Sequence, residues 1–382
     1  MYLSWNRKQG REFGARGMSR RSLGRMAAMI SAAAALPFYN ESALAQLSAI
    51  AGPLPPDAVK INANENPLGP GPEALDAIER FAWDGGRYHY EQTAALRELL
   101  AGQEGLKPEY VEPYPGSSAP LYQSVLALCS PSKPFVTADP GYEAGDRAAQ
   151  FVGARVIRVP LTDRYAHDVR KMAAASPSAG LIYLCNPNNP TGTLTPRSEI
   201  EWLVENKPKG TTVLVDEAYL HFAGAPACSG LVARDKDVIV LRTFSKLYGM
   251  AGLRAGAAFG RPELLEAIRV FSAGALPVPG VVGAIASLKS KTIVPERRKF
   301  IGEVRADVFA FLDKHDFRYV PSVSNHFMLD VNRPGQQVVD ALRREKVYIG
   351  RIWPCWPTHA RVSIGTGEEM NRFKTALLKV MS

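Results

Sequence analysis

Three short apolar runs, each stopping at a polar turn, constrain this chain more than any other feature. Leu181-Ile182-Tyr183-Leu184 runs into Cys185-Asn186-Pro187-Asn188-Asn189-Pro190-Thr191-Gly192. Val213-Leu214-Val215 runs into Asp216-Glu217-Ala218-Tyr219, and Val238 to Leu241 leads into Thr243-Phe244-Ser245-Lys246. Runs this short and this uniformly apolar read as strands buried on both faces, the pattern of a parallel sheet covered by helices. Open α/β sheets bind ligands beyond the carboxyl ends of their strands. An amide, a carboxylate, a phenol and an amine are therefore delivered to one edge. A lone Ser-Lys pair is most simply an exposed loop. Here Lys246 lies among Thr243 and Ser245, with small residues after it and Arg254 eight positions on, the arrangement of a nucleophilic amine beside an anion site.

The chain has 382 residues, 46% hydrophobic and 22% charged, enough for a large core and more than one domain. Its net charge of +9 raises the question of a nucleic-acid partner. Residues 1–45 carry seven basic and two acidic side chains, so +5 of that charge is concentrated at one end. No basic stripe interleaved with aromatics follows, and nucleic acid is not an expected partner. Cys129, Cys185, Cys228 and Cys355 show neither C-x-x-C pairing nor metal-ligand spacing, and no metal is expected.

The first 45 residues read as a targeting segment. Met18-Ser19-Arg20-Arg21-Ser22-Leu23-Gly24-Arg25 precedes an apolar run, Met26 to Leu36, then a small-residue site at Ala43-Leu44-Ala45. The run is shorter than the roughly 20 residues of a membrane-spanning helix. The paired arginines resemble a twin-arginine signal, which implies a periplasmic enzyme exported already folded, with a cytoplasmic location as the alternative. Met18 is itself a natural start, which would make residues 1–17 an artefact of start assignment.

The motifs N-P-N-N-P-T-G, D-E-A-Y and S-K with its arginine, in that order, resemble the pyridoxal-phosphate aminotransferases of the aspartate aminotransferase fold. The spacings, 27 residues from Asn189 to Asp216 and 30 from Asp216 to Lys246, are most similar to the histidinol-phosphate aminotransferase branch. So is Asn64-Glu65-Asn66-Pro67-Leu68-Gly69-Pro70. The resemblance implies fold type I of the pyridoxal-phosphate-dependent transferases, an α/β architecture with a large, mostly parallel-sheet cofactor domain and a smaller α+β domain. It implies pyridoxal 5'-phosphate held covalently by Lys246, with Asp216 facing the pyridine nitrogen and Asn189 and Tyr219 at the ring oxygen. Ser117, Ser118, Thr243, Ser245 and Arg254 would hold the phosphate. Tyr142 would stack on the ring, and Tyr88 would reach across a homodimer interface to the partner's cofactor phosphate.

For the substrate, the resemblance implies Arg361 as the residue taking an anionic group, with Arg351 as a second arginine and Asn189 beside them. A planar fork suits a carboxylate, and two arginines suit a phosphate or a second carboxylate. The stretch Ile352-Trp353-Pro354-Cys355-Trp356-Pro357 departs from the branch, and its tryptophans are open to lining the pocket or to ordinary packing. The branch also carries a substrate-contacting tyrosine ahead of its N-E-N-P loop. Here that region is signal and linker, with Tyr39 on the signal side, which argues against histidinol phosphate.

The expected reaction is transamination between an amino acid or amino-phosphate donor and a 2-oxo acid such as 2-oxoglutarate. A decarboxylase, racemase or lyase on the same fold is the alternative, because the cofactor residues do not choose which bond breaks. A non-catalytic binding protein is a remote third. Helices are predicted over Pro72 to Ala82, Thr93 to Leu100, Leu121 to Leu128, Glu296 to Lys314, Gln336 to Lys346 and from Glu368. Strands are predicted at Pro134 to Thr137, Phe317 to Val320, His326 to Val331 and Val347 to Ile349. Residues 46–84 and 280–382 are read as the smaller domain and 85–279 as the cofactor domain.

Overall fold

The computed structural model describes residues 54–272 and 274–382. The targeting segment, Tyr39 and the start of the linker lie outside the described residues. In chain order the first strands are β1 (Val59–Ile61), β2 (Val111–Tyr114), β3 (Phe135–Asp139), β4 (Val156–Pro160) and β5 (Leu181–Cys185). Next come β6 (Thr212–Asp216), β7 (Val238–Thr243) and β8 (Gly256–Phe259). The last are β9 (Arg318–Val320), β10 (His326–Asp330), β11 (Val347–Ile349), β12 (Ile352–Trp353) and β13 (Trp356–Ser363).

The large sheet has seven strands in the order β2-β8-β7-β6-β5-β3-β4. β3 pairs in parallel with β4 and β5, β5 with β6, and β6 with β7, while β8 runs antiparallel to β7 and to β2. Every residue of β5, β6, β7 and β8 is buried, which is why these strands read as unbroken apolar runs. From β3 the chain crosses outward to β4, whereas β5, β6 and β7 build in the other direction. That reversal opens a crevice between the ends of β3 and β5, the switch point where sheets of this kind bind ligands.

Among the described residues, two smaller sheets complete the strand set. β12, β13, β10 and β9 form an antiparallel sheet, and β1 lies parallel to β11 with Val59 opposite Val347. The pairing of β12 with β13 was not foreseen in the aromatic, proline-rich stretch. Pro354 and Cys355 form the turn between them, outside the ladder, where the missing proline N–H costs nothing.

Helix α1 (Pro72–Ala82) has the predicted bounds, with proline in its first turn, where its N–H would have no partner in any case. Helix α2 (Tyr90–Glu104) outruns the predicted 93–100 at both ends, between His89 at φ 48° and Gly105 at φ 65°. Helix α3 (Ser118–Leu128) starts inside the Gly116-Ser117-Ser118 turn. Helix Val278–Lys289 crosses the expected 279/280 boundary and packs on α1 and α2. The longest described helix, Ile293–Lys314, begins three residues before its prediction. Among the described residues no helix is long and apolar enough to cross a membrane, and no cluster of His, Cys, Asp and Glu is placed to hold a metal ion.

The turn after β5 is braced from behind. Asn186 exchanges hydrogen bonds with the Thr195 backbone, and the Thr195 hydroxyl meets the backbone N–H and Nδ1 of His167 at 3.0 and 2.8 Å. Burial pulls His167 down to about 4, so it is neutral in the folded chain and titrates at its ordinary value once unfolded. Between those values the unfolded state binds the extra proton, so stability is lost as pH falls. His167 alone should cost about 2 kcal/mol of unfolding free energy from about pH 7 to about pH 5. Urea denaturation at both values should show a flatter pH dependence for His167→Gln than for the wild type.

Candidate active site

The lysine is set by the turn that ends β7. The Thr243 hydroxyl donates to Ser245 Oγ at 2.8 Å and accepts the Ser245 backbone N–H at 3.1 Å, so the chain folds back at once. Gly249, at φ +69°, lies so close to the loop before α1 that a Cβ there would come within 1.9 Å of the Gly69 carbonyl oxygen. Lys246 is buried between these two turns. Its Nζ donates to the Ala63 carbonyl at 3.3 Å and lies 5.9 Å from the centre of the Tyr219 ring.

On the neighbouring strand, Asp216 closes β6 as a buried carboxylate. Tyr183 Oη donates to it at 3.3 Å from β5, and the Ala218 N–H at 3.2 Å. Tyr219 follows; its hydroxyl accepts Asn64 Nδ2 at 3.0 Å, and its ring meets His326 edge-on at 4.6 Å. Burial, reinforced by Arg361 and Lys246, holds His326 well below its ordinary value, so it stays a neutral wall of the site.

An anion cradle lies at the start of α3. Arg254 donates through Nη1 to Ser245 Oγ at 3.2 Å and to the Ala251 carbonyl at 2.8 Å, and through Nη2 to the Pro115 carbonyl at 3.0 Å. A side chain at Gly116, φ +92°, would collide with that guanidinium at 2.3 Å, so only glycine allows the close approach. Ser117 immediately precedes α3, whose first N–H groups add the positive end of a helix. Ser118 Oγ is 3.4 Å from Tyr142 Oη, which places the predicted stacking residue at the rim of the same cradle.

Arg361, on β13, reaches the site from the smaller sheet. It donates through Nη1 to Asn189 Oδ1 at 2.9 Å and through Nη2 to the Asn62 carbonyl at 2.6 Å. Burial draws its pKa down to about 10, still cationic at neutral pH, and among the described residues its Nε has no partner. Arg351 hydrogen-bonds Glu143 and lies 4.2 Å from the Trp353 ring centre. Trp353, 1% exposed, donates Nε1 to the Gly141 carbonyl at 2.9 Å, so it backs the arginine pair, whereas Trp356 packs on Tyr165.

Lys246, Asp216, Tyr219, Asn189 and Arg361 thus gather around the crevice, with Ser117, Ser118, Thr243, Ser245, Arg254 and Tyr142 on the cradle side. Tyr88 is not brought to its own chain's site; it is 70% exposed and stacked on Tyr90. Sequence reasoning missed Asn64, His326 and Glu143. Asn64 lies in the quoted N-E-N-P loop, at φ 54°, and Glu143 directly follows Tyr142, so position in a motif was the available signal. His326 heads a predicted strand and carried no mark of its own. A cationic, hydroxyl-rich cradle, a buried carboxylate, an amine and a stacking phenol fit a flat heteroaromatic ring bearing a phosphate, an aldehyde for the amine and a basic ring nitrogen.

The sequence model of the family "Aminotransferase class I and II" matches residues 56–377. The histidinol-phosphate aminotransferase of Symbiobacterium thermophilum is 36% identical over 331 residues, 84% of this chain and 90% of that protein. The aromatic amino acid aminotransferase of Corynebacterium glutamicum is 34% identical over 325 residues, 84% of this chain and 92% of that protein. Among solved structures, the histidinol-phosphate aminotransferase from Sinorhizobium meliloti in complex with pyridoxal-5'-phosphate superposes with a TM-score of 0.80 at 28% identity, covering 91% of this chain and 95% of that one. This chain belongs to the class I and II aminotransferases, and is a pyridoxal-phosphate-dependent transaminase.

Proposed function

We propose that the chain moves an amino group from an amino acid or amino-phosphate donor of the kinds its relatives are named for to a 2-oxo acid such as 2-oxoglutarate. We propose further that it works as a homodimer and in the periplasm. The observation that carries the reaction is the burial of Lys246 beside Tyr219, with Asp216 ending the next strand and Arg361 held ready by neutral partners. Pyridoxal phosphate, when bound, supplies an electron sink for the charge left when a bond at the donor's α-carbon breaks.

The chain's own residues do the rest. The Lys246 amine holds the cofactor and, once released by the donor, carries the proton between the α-carbon and its acceptor. Asp216 holds positive charge on the ring nitrogen, and its donors Tyr183 and the Ala218 N–H keep it oriented. Tyr219 and Asn189 bind the ring oxygen. Arg254, Thr243, Ser245, Ser117, Ser118 and the start of α3 bind the phosphate. Arg361 takes the donor's anionic group and orients the α-carbon toward Lys246.

Lys246→Ala should lose the visible absorbance of the lysine-bound cofactor and slow donor conversion by about 10²–10⁴-fold. Stopped-flow spectra with a panel of donors, reversed by 2-oxoglutarate, measure both. Wild-type rates in that variant would exclude the assigned role.

The dimer reading is supported by three exposed aromatics, Trp83 and Tyr88 on the segment joining α1 to α2 and Tyr90 at the start of α2. If Tyr88 reaches the partner's cofactor phosphate, Tyr88→Phe should weaken cofactor retention about ten- to a hundredfold, the scale of one hydrogen bond to a charged group. Equilibrium dialysis of the variant checks this, and unchanged retention would remove Tyr88 from the site.

Export is supported by the basic start, short apolar run and Ala43-Leu44-Ala45 site. The mature protein should begin at Gln46 in the periplasmic fraction, and replacing both Arg20 and Arg21 by lysine should strand the precursor in the cytoplasm. Cell fractionation with N-terminal sequencing decides, and an uncleaved cytoplasmic chain would restore the alternative location.

A further inference from the structure

The two named donor classes differ most at one substituent of the amine-bearing carbon: an aromatic amino acid carries a carboxylate there, whereas histidinol phosphate carries a phosphate dianion on a methylene, and both have a ring on the other arm. Relatives of nearly equal identity belong to each class, so overall similarity does not choose between them. The charge around Arg361, the residue assigned to that anionic group, does.

Arg351, Trp353 and Glu143 lie beside it. Arg351 and Glu143 are both largely buried, their side chains 14% and 28% exposed, and Arg351 Nη2 donates to the Glu143 carboxylate. The Trp353 ring lies 4.2 Å from the Arg351 guanidinium and 5.5 Å from that of Arg361. Its Nε1 is tied to the Gly141 carbonyl, in the same turn that carries Tyr142 and Glu143. Indole, two guanidiniums and one carboxylate therefore form a single wall with one net positive charge in place of two. Arg361 is the member left with neutral partners only. Asp139, at the end of β3, puts a second carboxylate at the base of the turn.

We infer that Glu143 is a specificity-determining residue: by occupying Arg351 it turns the site against donors bearing a phosphate dianion and toward donors bearing an α-carboxylate, aromatic amino acids among them. This rests on the aminotransferase reading above. A phosphate seated on Arg351 has either to displace Glu143, leaving a half-buried carboxylate without its partner, or to lie within a few ångströms of a like charge. A carboxylate in the same place carries a single charge, which Arg361 alone balances without any exchange of ion pairs.

The test uses cofactor-loaded enzyme and the donor half-reaction alone, followed by loss of visible absorbance in a single turnover with phenylalanine or with histidinol phosphate. Wild type should convert phenylalanine with the higher rate-to-affinity ratio. Glu143→Gln should raise the value for histidinol phosphate relative to phenylalanine by about tenfold or more, and Glu143→Asp, which keeps the charge, should stay near wild type. As a readout free of turnover, phenyl phosphate measured by titration calorimetry should bind Glu143→Gln about tenfold more tightly than wild type. A wild-type preference for histidinol phosphate, or an unchanged donor ratio and phenyl phosphate affinity in Glu143→Gln, overturns the inference and leaves the aminotransferase reading standing. Conversion of neither donor by the wild type overturns the donor reading itself and takes the inference with it.

Discussion

A sheet buried on both faces can carry charge only where its strands stop. β5, β6 and β7 admit no exposed residue along their length, so the polar groups the chain needs for chemistry are collected at one edge. Parallel pairing then sets their relation. Cys185 lies opposite Asp216 and Asp216 opposite Leu241, so the turns that carry Asn189, Tyr219 and Lys246 leave adjacent strands at one level. Adjacency in the sheet brings together residues that lie 27 and 30 positions apart in the chain.

The edge is closed by a segment from the other end of the sequence. Between β1 and α1 the Asn62 carbonyl receives Arg361, the Ala63 carbonyl receives Lys246, and Asn64 bonds Tyr219 and Ser363. Asn66 reaches the Leu247 carbonyl at 2.7 Å, which Arg297 also approaches from the long helix. Four of the five residues from Asn62 to Asn66 thus join both arms of the site. Their positions depend on β1 pairing with β11, a long-range contact whose loop entropy is offset only when the whole chain is folded. A shift of that strand by one residue would reverse which side chains face the site.

This explains what was legible beforehand. β3, β5, β6 and β7, the polar ends of the last three, and α1 follow from local pattern: an apolar run stops, or a proline opens an amphipathic turn; the edge strands β2 and β4 carried no such prediction. Lys246, Asp216, Asn189, Tyr219 and Arg254 were legible because each sits inside a short motif at a strand end. Asn64, His326 and Glu143 act through partners more than a hundred residues away, and no local pattern announces such a pairing. Helix α2 was predicted too short for a related reason. Its ends are set by left-handed residues at His89 and Gly105, whereas the prediction followed only the leucines. The β12–β13 hairpin was hidden by prolines, one of which proves to be in the turn.

Two buried arginines show how the molecule separates support from function. Arg242 is gripped by Glu217 at 2.8 Å and by Glu104 at 2.6 Å, and those carboxylates outweigh its burial and push its pKa up. Its charge is fully spoken for, and it has nothing left to offer a ligand. Arg361 is as deeply enclosed, but among the described residues its guanidinium hydrogen-bonds only an amide oxygen and a backbone carbonyl, so burial prevails and its pKa falls. A cation kept dry without a counter-ion is costly unless something anionic arrives. Arg351 lies between these cases, mostly buried but already holding a carboxylate from the turn beside it. Along one wall the fold therefore offers an incoming molecule one uncommitted positive charge and one that must first be released, and this asymmetry is what gives the site a direction.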